Sequence, residues 1–315
     1  MLRTIGLALA AALCASLALS GQATIDPRPK VPPQRPTNPA ANLRVDTSLV
    51  LVPVTVNDPL NRPVTGLDKE NFRVFDDQQE QKITQFSMDD EPVAVGMVFD
   101  TSGSMGAKLG RSRMAAAAFF RTTDDQDEFF LVEFDSQPRL AVPLTSSPRE
   151  VQNELTFTRS KGSTALLDAI VLALHEMKKS KKNKKALLII SDGGDNHSRY
   201  TANEVRDLVR ESDSLIYAIG VFGGGSTLEE FGGPSLLSAL AEQTGGRLFP
   251  ANWAELPDIA GKIGIELRNR YVLGYSPAGQ ARDGRYHRVQ VQVLPPRGLP
   301  PLRAHWRLGY YAPVE

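Results

Sequence analysis

The chain has 315 residues, 41% of them hydrophobic and 23% charged, which is the make-up of one or two globular domains with a real core. Lys plus Arg and Asp plus Glu balance at 36 each, which excludes a general basic field for nucleic acid or for an acidic membrane surface. Among the 315 residues there is one cysteine, Cys14, so no disulfide and no thiolate chemistry is expected of the folded part.

Arg3 is followed by an apolar stretch from Ile5 to Leu19 and by small residues at Ser20, Gly21 and Ala23. A basic start, an apolar middle and a small-residue exit describe a secretory signal peptide, expected over residues 1–23. The stretch is shorter than the ~20 residues a spanning helix needs, so a stable transmembrane anchor is not expected. Cys14 lies inside it behind the bulky Leu13, a poor context for lipid attachment. Residues 24–42 carry Pro27, Pro29, Pro32, Pro33, Pro36 and Pro39, which predicts an extended, solvated linker. The implied location is exported: periplasmic, cell-envelope or extracellular.

Residues 43–91 read as a β segment. Leu49–Val56 is a β-branched run, Asp58–Pro63 a turn, and Phe72–Phe75 and Ile83–Phe86 alternate as half-buried strands do, with Asp76-Asp77 as a turn between them. From residue 92 to 276 the pattern changes. Continuous apolar runs at Val93–Phe99, Phe129–Phe134, Ala186–Ile190 and Leu215–Val221 predict strands buried on both faces. An edge strand is read at Leu140–Leu144 and a short strand at Arg247–Phe249. Helical spacing is read over Arg111–Arg121, Ala165–Met177, Asn203–Ser212, Leu236–Gln243 and Leu256–Arg268. The expected fold class is α/β: a mostly parallel open sheet with helices on both faces, of the Rossmann-like kind. Residues 277–315 turn back to β, at His287–Val293 and Leu302–Tyr311. Tyr271–Tyr275 is left open between the central sheet and this tail. Neither flanking segment alone has enough strands to bury a core, so the two are expected to combine into one small β-domain.

Three oxygen-rich segments stand at strand ends or helix starts: Asp100-Thr101-Ser102-Gly103-Ser104, Gly162-Ser163-Thr164, and Ser191-Asp192-Gly193-Gly194-Asp195. Ligands of open α/β sheets sit beyond the carboxyl ends of the strands. Two carboxylates (Asp100, Asp192) and three hydroxyls (Ser102, Ser104, Thr164) make a donor set for a hard cation, Mg²⁺ or alternatively Mn²⁺ or Ca²⁺. No cluster of Cys and His points to zinc or copper. Taken alone, the first segment also suits a turn and helix cap.

The ordered combination of Asp-x-Ser-x-Ser, a later Thr opening a helix, and Ser-Asp-Gly resembles the metal-ion-dependent adhesion site (MIDAS) of von Willebrand factor A-type domains, over roughly Val93 to Arg268. All five positions of that pattern are present: Asp100, Ser102, Ser104, Thr164 and Asp192. The resemblance implies that Ser102 and Ser104 hold the ion directly, Thr164 directly or through water, and Asp100 and Asp192 largely through water. It further implies that a carboxylate of a protein partner takes the open position, coupled to a shift of the loops. The flanking pieces Val64–Leu67, Asn71–Asp77 and Gly309–Pro313 resemble a family of secreted bacterial proteins containing this domain, common in acidobacteria.

Two other readings stand beside a binding module. One is a hydrolase using Ser102 or Ser104. Neither serine lies in a Gly-x-Ser-x-Gly elbow or begins a Ser-x-x-Lys, and His197 is the sole plausible histidine base. The other is a structural envelope protein whose metal merely stabilises it. Asp195 is read as a turn residue, the run Lys178–Lys185 as a solvated helix end, and Gly223-Gly224-Gly225 as a mobile loop.

Overall fold

The computed structural model describes residues 49–222, 228–252, 254–277 and 283–314. The expected signal peptide, linker, Cys14 and Gly223–Gly225 lie outside them. In chain order the elements are strands β1 (Val50–Asn57), β2 (Phe72–Asp76), β3 (Gln79–Gln81), β4 (Gln85–Asp89) and β5 (Val93–Asp100), helix α1 (Leu109–Phe120), and strands β6 (Glu128–Phe134) and β7 (Pro138–Thr145). Helices α2 (Pro148–Phe157) and α3 (Leu166–Met177) follow, then β8 (Lys184–Ser191), α4 (Ala202–Glu211), β9 (Ser214–Gly220), α5 (Leu228–Thr244), β10 (Leu248–Pro250) and α6 (Leu256–Arg268). The chain returns through β11 (Arg270–Tyr275), β12 (Tyr286–Val293), β13 (Arg303–Trp306) and β14 (Gly309–Tyr311).

The central sheet has the order β10-β9-β8-β5-β6-β7. Its inner pairings are parallel, and only β7 runs antiparallel, on the edge. Every residue of β5 and β9 is buried, which is why these strands read as unbroken apolar runs. Alternate residues feed two cores. Val95, Met97 and Phe99 face α1 and α6, with Phe119 and Ile263 in the same cluster. Ala94 and Val98 face the opposite layer, with Ile170 of α3, Val205 of α4 and Leu240 of α5. Helix α2 leaves little trace in the sequence pattern: of its ten residues only Val151 and Leu155 are buried, too few for a legible period. Pro148 at its first turn starts it.

Two antiparallel four-stranded sheets, β13-β1-β11-β4 and β14-β12-β2-β3, share one further core built from residues such as Val54, Val74, Leu273 and Val291. The flanking segments therefore combine into one β-sandwich. Tyr275 on one sheet donates to Asp76 on the other (2.9 Å), and Trp306 Nε1 donates to the Val289 carbonyl (2.9 Å). Counting the sandwich, strand pairing among the described residues is mixed rather than mostly parallel, with four parallel ladders and seven antiparallel ones. The reason is topological: hairpins and returning strands pair antiparallel, and parallel pairing needs a crossover helix. The segment Tyr271–Tyr275, within the expected 92–276 unit, pairs with β1 and β4 in the sandwich. Strand β4 starts two residues later than the predicted Ile83–Phe86 run and ends at Asp89, and Leu302–Tyr311 divides between the two sheets as β13 and β14.

The α/β unit is thus inserted between β4 and β11, which are paired neighbours. Polar groups seal this crossing. Asp89 accepts from Arg270 (2.8 Å) and Lys184 (3.0 Å). Burial opposes its charge, but the two cations hold its carboxyl below the ordinary value. Lys184 departs from the rest of its basic run: it is buried and paired, not a solvated helix end. Nearby, Glu266 of α6 is 1% exposed and accepts from Asn57 of β1 (3.1 Å), Tyr217 of β9 (2.9 Å) and Arg247 ahead of β10. Burial, with Glu266 beside it, holds the Tyr217 phenol well above its ordinary value, so it stays a donor.

Breaking a buried ion pair from one side costs about 3–5 kcal/mol. Glu266→Ala is therefore expected to lower the unfolding free energy by that order in a urea titration, and a loss under ~1 kcal/mol would show that the network does not hold the two parts together. His305 of β13 supplies a pH test. Burial, then Arg247 and Arg303, lowers its pKa from 6.5 to about 4. A neutral His305 thus contributes stability above pH 6.5 that is lost as the pH falls towards 4. His287 is shifted the other way, so the wild-type curve mixes both. Subtracting the His305→Gln curve is expected to isolate a decline over that acidic window, and superimposable curves would refute it.

Candidate functional site

The sheet order places β6 on one side of β5 and β8 on the other. The chain leaves β5 for β6, then returns across it to β8, so the gap between β5 and β8 is a topological switch point, where open α/β sheets bind ligands. The parallel register aligns Phe99 with Ile190. The next residues in each strand, Asp100 and Ser191, therefore meet: Ser191 Oγ donates to Asp100 Oδ2 (2.6 Å). The Ser102 amide donates to Asp100 Oδ1 (2.8 Å), and the Gly193 amide donates to Ser191 Oγ (2.9 Å). Asp100 is fully buried and Asp192 is 2% exposed. Burial raises the Asp100 pKa to about 6; the hydroxyls of Ser102 and Ser191 oppose this and the Asp192 charge adds to it.

Ser102 and Ser104 present their hydroxyls to each other at 3.0 Å, Ser102 buried and Ser104 exposed. The Ser102 hydroxyl also acts on the Asp100 carboxylate and works to hold its pKa down. The Gly162–Thr164 segment is tied to this loop through its backbone: Gly103 N donates to Gly162 O (3.0 Å) and Lys161 N to Thr101 O (2.8 Å). Thr164 is buried. Its carbonyl accepts from the amides of Asn196 and His197, and its amide donates to Asn196 Oδ1, which joins it to the loop carrying Asp192. All five predicted residues thus sit on three loops at one sheet edge, and direct bonds link Asp100 with Ser102 and Ser102 with Ser104.

The loop after β8 is fitted closely to α5. Gly193 has φ +81°, and a Cβ there would lie 2.9 Å from the Gly233 carbonyl carbon. Only glycine meets both demands. Asp195 is a turn residue with a further task, because its Oδ2 accepts from the Leu167 amide (2.8 Å) and Ser198 Oγ (2.6 Å) at the start of α3. His197 is exposed.

Sequence reasoning missed Lys108. It stands just ahead of α1, its side chain 8% exposed, and Nζ donates to Asp192 Oδ2 at 2.9 Å. An ammonium ion thus already rests on one of the two carboxylates. The signal in sequence was a lysine four residues beyond Ser104 at a helix start, where a basic side chain is ordinarily solvated. The donor set suits a hard cation by chemistry: two buried carboxylates and hydroxyls in place of nitrogen or sulfur.

Residues 95–194 match the von Willebrand factor type A domain family. That stretch of the chain is thus similar to a von Willebrand factor type A domain. The matched segment contains Asp100, Ser102, Ser104, Thr164 and Asp192 and stops short of the sandwich strands. A protein of Borreliella burgdorferi, described as uncharacterised, is 26% identical over 183 residues, spanning 50% of this chain and 53% of that protein; the chain thus matches about half the length of that curated relative. Among solved structures, a von Willebrand factor type A protein from Catenulispora acidiphila overlays with a TM-score of 0.49 at 13% identity, covering 85% of this chain and 74% of that one. The corresponding domain of the type V pili tip protein Mfa5 from Porphyromonas gingivalis gives 0.46 at 15% identity, covering 57% and 97%.

Among the described residues, the group of Asp, Glu, His or Cys side chains close enough to hold a divalent cation by themselves is elsewhere, at Asp76, Asp77 and His287 on the sandwich. The edge carrying Asp100 and Asp192 is of another kind, with two buried carboxylates beside serine hydroxyls. Its balance rests on Lys108. Lys108→Met leaves Asp192 buried without its ammonium partner and is expected to lower stability by ~3–5 kcal/mol in chelator. The check is urea unfolding with and without Mg²⁺; an unchanged midpoint in chelator would mean that Asp192 does not depend on this lysine.

Proposed function

We propose that Asp100, Ser102, Ser104, Thr164 and Asp192 form a metal-ion-dependent adhesion site through which this domain binds a protein partner. The observation that carries the reading is the meeting of two buried carboxylates and paired serine hydroxyls at the switch point of the sheet. Asp192 raises the cost of ionising Asp100, and a divalent cation would relieve that cost. Mg²⁺ fits the donor set best, with Mn²⁺ and Ca²⁺ as alternatives. The bound ion supplies a Lewis-acidic position for a partner's Glu or Asp carboxylate in a contact of low dielectric. Ser102 and Ser104 hold the ion directly, Thr164 directly or through water, and Asp100 and Asp192 largely through water. The reading is non-catalytic. No helix among the described residues is long and apolar enough to cross a membrane. Export through residues 1–23, with the linker 24–42 holding the fold away from the envelope, belongs to the same proposal. So does membership of the secreted bacterial subfamily that the flanking strands resemble.

The Lys108–Asp192 pair favours a second reading, a scaffold that keeps its loops in place without a metal. The two separate in a thermal melt with Mg²⁺, Mn²⁺, Ca²⁺ or chelator. Binding to the folded state stabilises by about 2.7 kcal/mol at a hundredfold excess over Kd. A saturable rise in Tm that disappears in Asp100→Ala supports the adhesion site. No rise at millimolar metal would remove the ion from the mechanism and leave the scaffold.

A further inference from the structure

We propose that Asp76, Asp77 and His287 form a transition-metal site on the β-sandwich, suited to an ion of the Zn²⁺ type and open to solvent at its remaining position.

The three side chains come from one corner of the sheet. Asp76 ends β2, Asp77 turns towards β3, and His287 lies at the start of β12, whose Val289 is registered with Asp76. Each carboxylate has one oxygen committed to the fold and one turned to the imidazole. Asp76 Oδ2 accepts from the hydroxyls of Tyr275 and Tyr310, both at 2.9 Å. Asp77 Oδ1 accepts from the Arg288 amide, also at 2.9 Å. The other oxygens, Asp77 Oδ2 and Asp76 Oδ1, lie 2.9 and 3.7 Å from His287 Nδ1.

Asp76 Oδ1 supplies the independent observation. Asp76 is 6% exposed, and this oxygen is buried without a hydrogen-bond partner. A buried carboxylate oxygen left so is costly. A proton on Nδ1 serves Asp77 at hydrogen-bond distance and leaves Asp76 Oδ1 too far to benefit. A metal ion serves all three. The ligand atoms lie within 4.8 Å of one another. Tetrahedral zinc with bonds of about 2.0–2.2 Å sets its ligands roughly 3.4 Å apart, a value between the two measured separations.

The surroundings are those of a metal-binding histidine. Nε2 lies 3.2 Å from Asp283 Oδ1, and a ligating imidazole ordinarily donates its second N–H to a carboxylate, which fixes the tautomer and turns the lone pair to the metal. Tyr310 stacks on the ring at 5.5 Å between centroids. One imidazole and two carboxylates select Zn²⁺ or a neighbouring first-row ion over Mg²⁺, which prefers an all-oxygen octahedron. Asp77 is exposed, so water or a partner group has access to the fourth position.

The test is calorimetric titration of the purified, untagged protein with Zn²⁺, and with Co²⁺ followed by its visible d–d spectrum. One equivalent is expected to bind with a tetrahedral Co²⁺ spectrum. That binding should be lost in His287→Ala and in Asp77→Asn, and weakened about 10–100-fold in Asp283→Asn. Asp77 and Asp283 are exposed, so these two variants retain the fold if His287→Ala does not. Asp100→Ala is expected to leave Zn²⁺ binding intact, which separates this site from the edge carrying Asp100 and Asp192. Absence of binding, or binding that survives both His287→Ala and Asp77→Asn, overturns the proposal.

Discussion

Glu266 is one buried carboxylate shared by three donors from separate stretches of chain: Asn57 before the α/β unit begins, and Tyr217 and Arg247 within it. The unit is an insertion whose entry and exit strands, β4 and β11, are neighbours in a sandwich sheet. An insertion held at one crossing would be free to swing unless the crossing were made rigid. Glu266 on α6 and Asp89 of β4 with Arg270 and Lys184 make it so. Such pairs add little net stability compared with apolar packing, yet they tolerate only one arrangement, because a misplaced partner leaves a charge buried alone.

That rigidity bears on the opposite end of the sheet. Strands β5 and β8 are buried on both faces and deliver Asp100 and Asp192 into the interior rather than into water. The Asp192 charge opposes the ionisation of Asp100. The fold answers with hydroxyls and amides on Asp100 and with the Lys108 ammonium on Asp192. The edge is therefore a place of compensated charge, with the Lys108 ammonium resting on Asp192. Asp76 repeats the theme on the sandwich, with two tyrosine hydroxyls on one oxygen and an imidazole facing the other.

Much of this was legible in sequence for a plain reason. Strands buried on both faces must be apolar throughout, so β5, β6, β8 and β9 stand out. The Asp-x-Ser-x-Ser and Ser-Asp-Gly segments follow two of them directly. Helix α2 was hidden because it rests on the edge of the fold with two buried side chains. Lys108 and Lys184 were hidden because a lysine's composition says nothing of burial. Each is buried against a carboxylate distant in the chain, Asp192 for Lys108 and Asp89 for Lys184.

What the amino-acid order determined by itself was local: which runs are strands or helices, where loops carry oxygen donors, and that two flanking β segments each lacked a core. These follow from periodicity and residue chemistry within a few positions of each other. What only the tertiary structure decided was the partnership between distant segments. It assigned β11 to the sandwich, made the overall strand pairing mixed, set Lys108 against Asp192, and gathered Asp76, Asp77, Asp283 and His287 at one corner. Those outcomes depend on which surfaces remain to be covered once the local elements exist, a condition set by the whole chain packing together.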